Sequence, residues 1–73
     1  KFELPKDTHV SLVITDLLGR NIRTLADKKI NGGYHQVNWD GTMASGAPAP
    51  TGVYLIQFST KNYKKTYKAL LIK

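Results

Sequence analysis

An all-β fold, with antiparallel sheets packed as a sandwich or closed as a barrel, is what this 73-residue chain predicts. Three observations carry the expectation. Apolar and polar residues alternate with a period of two through most of the apolar stretches. Gly, Pro, Asn and Asp separate those stretches at short intervals. No stretch sustains the i, i+3, i+4, i+7 apolar stripe of an amphipathic helix, and the best helical case, TDLLGRNIRTLADKK (15–29), is interrupted by Gly19.

Five or six short strands follow from the pattern. In THVSLVIT (8–15), Val10, Leu12 and Ile14 share one face, while His9, Ser11, Val13 and Thr15 share the other. TDLLGR is a connection, and NIRTLA (21–26) is the returning strand, with Ile22 and Leu25 apolar. DKKINGG (27–33) is polar and glycine-rich and predicts a loop. YHQVNW (34–39) alternates again, with His35, Val37 and Trp39 on one side. DGTMASGAPAPTG (40–52) holds three Gly and two Pro, which excludes a helix or a central strand. GVYLIQFST (52–60) is rich in β-branched and aromatic residues and is the strongest strand. YKKTYKALLIK (63–73) is the last; its run Leu70, Leu71, Ile72 satisfies either register.

Totals bound the class. The length suits one domain, which buries about 60–65% of the surface its unfolded chain exposes. There are no cysteines, so apolar packing must hold the fold without disulfides. No apolar run reaches the roughly 18–20 residues of a membrane span, and no signal peptide is visible. The chain opens on KFELP, which reads as the middle of a longer protein. The formal net charge of +6 is uneven: residues 1–60 carry six Lys/Arg against five Asp/Glu, whereas 61–73 carry five Lys and no acid. The basic character therefore belongs to the last segment.

The turn at residues 16–19 poses a question, because Leu17 and Leu18 occupy its tip. Asp16 suits backbone N–H groups two residues on, and Gly19 suits a left-handed conformation. The leucines between them either cover the end of the core or meet a partner. Trp39, Asp40 and Gly41 read as structure: an aromatic core residue followed by an Asp-Gly turn. Trp39 is expected to be the costliest core truncation, at about 3–5 kcal/mol. Gly52 and Tyr54 are expected to serve turn and core.

Chemistry-bearing constellations are weak. Asp40, Thr42 and Ser45 offer one carboxylate where a calcium loop wants several. His9 and His35 are the only histidines and lack a third zinc ligand. There is no acid–base pair, nucleophile triad or phosphate loop, so the sequence predicts neither an enzyme nor a bound cofactor. Tyr63 and Tyr67 interleave with Lys61, Lys64, Lys65, Lys68 and Lys73, but without arginine or an RNA-platform motif, so nucleic acid is not the expected partner. Lysines on an edge strand block edge-to-edge aggregation, and the expected state is a monomer.

DLLGR, GGYHQVNWDGT, PTGVYLIQF and the terminal KALLIK, in this order and spacing, resemble the type A C-terminal sorting domain of the bacterial type IX secretion system over residues 2–73. The resemblance implies an immunoglobulin-like β-sandwich of about seven strands, excised from the end of a larger secreted protein. Asp16, Leu17, Leu18, Gly19 and Arg20 match one family motif, and Lys68, Ala69, Leu70, Leu71, Ile72 and Lys73 match the terminal one. The implied function is to be recognised by outer-membrane secretion machinery, for translocation and cell-surface attachment of a parent protein. The implied recognition residues are Leu17, Leu18, Gly19, Arg20, Lys68, Leu70, Leu71, Ile72 and Lys73. The implied location is secreted or at the cell surface of a Gram-negative bacterium, after passage through the periplasm, with anionic lipopolysaccharide or surface glycan as a further partner. The pattern is also similar to the immunoglobulin-like domain of the flagellar hook-capping protein. The second functional reading is an accessory domain that binds the cell surface or polysaccharide directly.

Overall fold

A computed structural model of the chain describes residues 2–72. Among them are six strands and no helix: β1 (Phe2–Leu4), β2 (Thr8–Thr15), β3 (Asn21–Ile30), β4 (Gly33–His35), β5 (Gly52–Ser59) and β6 (Lys64–Leu71). They form two antiparallel sheets, one ordered β3-β2-β5-β6 and a smaller pair β1-β4. The architecture is the all-β, immunoglobulin-like sandwich, with six strands among the described residues where about seven were expected.

Alternation builds the inner face. Val10 and Ile14 of β2 are fully buried, and Leu12 beside them is nearly so. Tyr54 and Phe58 of β5 face the same side, separated by the half-buried Ile56. Each such aliphatic or aromatic side chain removed from water contributes about 1.5–3 kcal/mol. Two clusters result. Leu4, Val10, Leu12, Ala26 and Phe58 pack where β1-β4 covers the larger sheet, with Phe2 and Val37 against them. Ile14, Ala49 and Tyr54 pack at the other end, under Trp39, Met43 and Leu71. There the cover is the irregular segment 36–51 instead of a strand. Tyr54 ties that segment down, since its hydroxyl donates to the Pro50 carbonyl.

Four elements depart from the pattern reading, each for a physical reason. β3 continues to Ile30 through the stretch expected to be a loop, because Asp27, Lys28 and Lys29 pair with Ser11, Val10 and His9 on a solvent-facing edge that needs no apolar alternation. The three-residue spacing of Ile22 and Leu25 is accommodated by two bulges, opposite Leu12/Val13 and Ile14/Thr15, which turn both side chains toward the core. The stretch 34–39 keeps its alternation of half-buried and exposed residues, but only Gly33–His35 joins a ladder. Its partner β1, unanticipated as a strand, is three residues long and leaves 36–39 unpaired. Trp39 is half-buried, not interior. Its indole N–H donates to the Thr42 carbonyl at 2.8 Å, and its ring meets Tyr54 edge-on at 5.2 Å. Ile14 and Val10 take the fully buried positions it was expected to hold. Gly52 simply opens β5, and its φ is not positive.

Candidate interaction surface

The β2–β3 turn is organised by one carboxylate. Asp16 Oδ1 accepts from the backbone N–H groups of Leu18 and Arg20, both at 2.9 Å, and Oδ2 accepts from Arg20 Nε at 2.6 Å. The Gly19 N–H donates to the Asp16 carbonyl, and Gly19 takes φ +84°. Partial burial pushes the Asp16 carboxyl up, but the hydrogen bonds from Arg20 and Leu18 and the Arg20 charge outweigh it, so it titrates below the ordinary carboxylate range. Because side-chain and backbone bonds close this turn, Leu17 and Leu18 are not needed to hold it. They are 65% and 80% exposed. The reading in which they cover the core is corrected: Leu71, Met43 and Trp39 do that work.

The second turn has the same logic. Asp40 Oδ1 accepts from the Thr42 hydroxyl at 2.6 Å and the Thr42 N–H at 3.1 Å, with Arg23 Nη1 at 3.5 Å. These bonds, the Thr42 hydroxyl foremost, hold its carboxyl below the usual range. Gly41 takes φ +81°. Arg23, which also donates to the Thr42 hydroxyl, clamps this loop to β3. Nothing in the local sequence marks it, since its partners lie seventeen and nineteen residues away.

The two segments singled out by motif flank the start of β5 at one end of the sandwich, on opposite sides of that strand. Leu70 pairs with Val53 and Leu71 with Gly52, while Thr15, just before the turn, pairs with Leu55. A shallow depression there is lined by Leu17, Leu18, Arg20, Val53 and Tyr54. The register of the terminal run is resolved: Leu71 points into the core, whereas Leu70 and Ile72 are 65% and 73% exposed. Lys68 is exposed. Lys73 lies outside the described residues. His9 pairs with Asp27 at 2.6 Å, and His35 Nε2 lies 2.6 Å from the Asn31 carbonyl, so neither histidine is aimed at a shared site. Among the described residues no three His, Cys, Asp or Glu side chains cluster to hold a metal ion, and no helix is long and apolar enough to cross a membrane.

A two-sheet antiparallel sandwich with Asp16, Asp40 and Gly41 spent on turns and Tyr54 and Leu71 on the core defines the class: a small immunoglobulin-like module. Within it the chain belongs to the FlgD Ig-like domain family, whose model matches residues 1–64. It is also similar to the basal-body rod modification protein FlgD of Escherichia coli strain K12 and of Salmonella typhimurium strain LT2, at 38% identity over 53 residues in each case. The aligned stretch covers 73% of this chain and 23% of theirs, so the chain spans about a quarter of the length of the relatives it matches.

This overturns the type IX sorting resemblance. Three of the four motifs behind it lie within residues 1–64 and belong equally to the flagellar domain. Physically they are the Asp16 turn, the Trp39-Asp40-Gly41 turn and the Tyr54 core strand, which build the fold of this chain. With the resemblance fall the secretion-machinery partners, the lipopolysaccharide or glycan partner, and the secreted or cell-surface location it implied. The accessory polysaccharide-binding reading has no support in the relatives either.

Proposed function

We propose that residues 1–73 form one non-catalytic interaction module of a longer protein that acts, as its FlgD relatives are named to act, in modifying the basal-body rod of the flagellum. The observation that carries this reading is the family match over residues 1–64. The greater length of the relatives supports a module within a larger chain. Non-catalytic action is supported by where the ionisable groups are spent: Asp16 and Asp40 on their turns, His9 on Asp27. The contact surface in this reading is the Leu17–Leu18 tip with Arg20. Its support is exposed apolar side chains on a turn that does not need them.

A chimera tests the proposal. The aligned stretch of Escherichia coli FlgD is replaced by this chain in a strain lacking its own FlgD, and swimming and basal-body completion are scored. Restoration is expected. Loss is expected when the chimera carries L17S and L18S, at unchanged stability. A chimera that is folded and abundant yet restores nothing defeats the flagellar assignment.

A further inference from the structure

The two edges of the larger sheet are treated differently. The β3 edge carries two bulges and is met near its start by the 40–50 loop, whose Ala44 N–H donates to the Ile22 carbonyl at 3.0 Å. β6 runs eight residues in unbroken register with β5. Among the described residues no backbone group of another element bonds to its outer side. Bulges and covering loops are two ways proteins blunt an edge, and β6 has neither; its lysines blunt it against a like-charged strand and leave it open to an acidic one.

The side chains along that open edge have two characters. Lys64 and Lys68 lie on the outer face with Thr66 and Leu70, and all four are exposed. Lys65 and Tyr67 lie on the inner face, with the Lys65 ammonium 5.1 Å from the Tyr67 ring centre. None of these lysines has a carboxylate within ion-pair distance among the described residues. Below the inner face, between β6 and β1, an open groove of about 420 Å³ is lined by Phe2, Leu4, Phe58, Tyr63 and Tyr67. Tyr63 and Tyr67 are 52% and 45% exposed, and Tyr63 meets Phe58 edge-on at 6.0 Å.

We propose that the outer edge of β6 binds an extended acidic segment of a partner protein by strand addition, with alternate apolar side chains of that segment filling the Phe2–Tyr67 groove. An added strand alternates its side chains, so one set hangs over the aromatic groove and the other stands beside Lys64 and Lys68. The first set must be aliphatic or aromatic and the second acidic. Main-chain bonds supply affinity, and the groove and lysines supply selectivity. The same lysines reject a second copy, because pairing β6 with itself sets ammonium against ammonium. The inference rests on the interaction-module reading but not on the Leu17–Leu18 contact.

The test uses a fluorescein-labelled peptide of about the length of β6, alternating Glu with Val and Phe, against a peptide of the same composition with its glutamates in one block. Anisotropy gives affinity and NMR-detected amide exchange gives location. The alternating peptide should bind and slow exchange of β6 amides that exchange freely in the unbound chain. K64E/K68E should weaken it by roughly tenfold or more and favour a Lys-for-Glu peptide. L17S/L18S should leave it unchanged, which separates this site from the proposed flagellar contact. No binding, equal binding of the blocked peptide, binding without protection of β6, or self-association through β6 in sedimentation would each overturn the proposal.

Discussion

At the scale of single residues, the geometry separates two glycines that the sequence treats alike. Gly19 and Gly41 both sit at positive φ, where a side chain costs about 1–2 kcal/mol. A Cβ on Gly19 would meet nothing within 4 Å, whereas one on Gly41 would meet Leu71 Cδ1 at 3.3 Å. G41A should therefore lower the urea midpoint more than G19A, by the displacement of Leu71 added to the backbone strain. L17S and L18S, on exposed side chains, should each change stability by less than about 0.5 kcal/mol in the same measurement. A larger loss would mean that the tip packs after all. The reason is legible in the bonds: the turn is closed by Asp16, and the leucines contribute nothing to closing it.

At the scale of elements, β2 is the central strand and its inner face is the stability of the module. I14A should cost about 2–5 kcal/mol, because Ile14 is fully buried between β3, β5 and the 36–51 cover. In a chain of this size, whose total stability is on the order of 5 kcal/mol, calorimetry should find that variant at or near unfolding at 25 °C. W39A should cost less than I14A, reversing the order expected from side-chain size, since the indole is already half in water. The two outer strands show why edges are hard to read. β3 looks like a loop in its last residues because an edge tolerates Asp and Lys on both faces. β6 is legible as a strand, but its run Leu70, Leu71, Ile72 fits either register until pairing with β5 turns Leu71 inward.

At the scale of the whole molecule, the carboxylates set the acid response. Asp16 and Asp40 both bind protons more weakly when folded than the ordinary side chain with pKa 3.8. The unfolded state thus takes up more protons, and stability rises with pH through that window. Their contribution is fully present above the unfolded value of 3.8 and is lost as the pH falls through the lowered folded values. The urea midpoint should therefore fall on acidification below about pH 4, and D16N, which keeps an acceptor but cannot titrate, should make the fall shallower. An equally steep fall in D16N and D40N would place the acid sensitivity elsewhere. Lysine repulsion along β6 acts in the opposite direction to self-association, so the chain should sediment as a monomer at neutral pH.

The sequence by itself determined the all-β class, the face of β2 that is buried, the chemistry of both Asp-Gly-type turns, and the concentration of charge in the last strand. These are local properties: alternation is carried by neighbours two apart, and a turn by four consecutive residues. What only the tertiary structure decided is everything that depends on partners distant along the chain. It set β1 against β4, drew Arg23 to Asp40 and Thr42, inserted the bulges that bring Ile22 and Leu25 inward, and chose Leu71 over Leu70 for the core. It also brought the Leu17–Leu18 tip beside Val53 and left β6 without the bulges and the loop contact that β3 has. Motifs shared by two families were no guide between them, because turn and core residues report the fold they build and not the partner the fold meets.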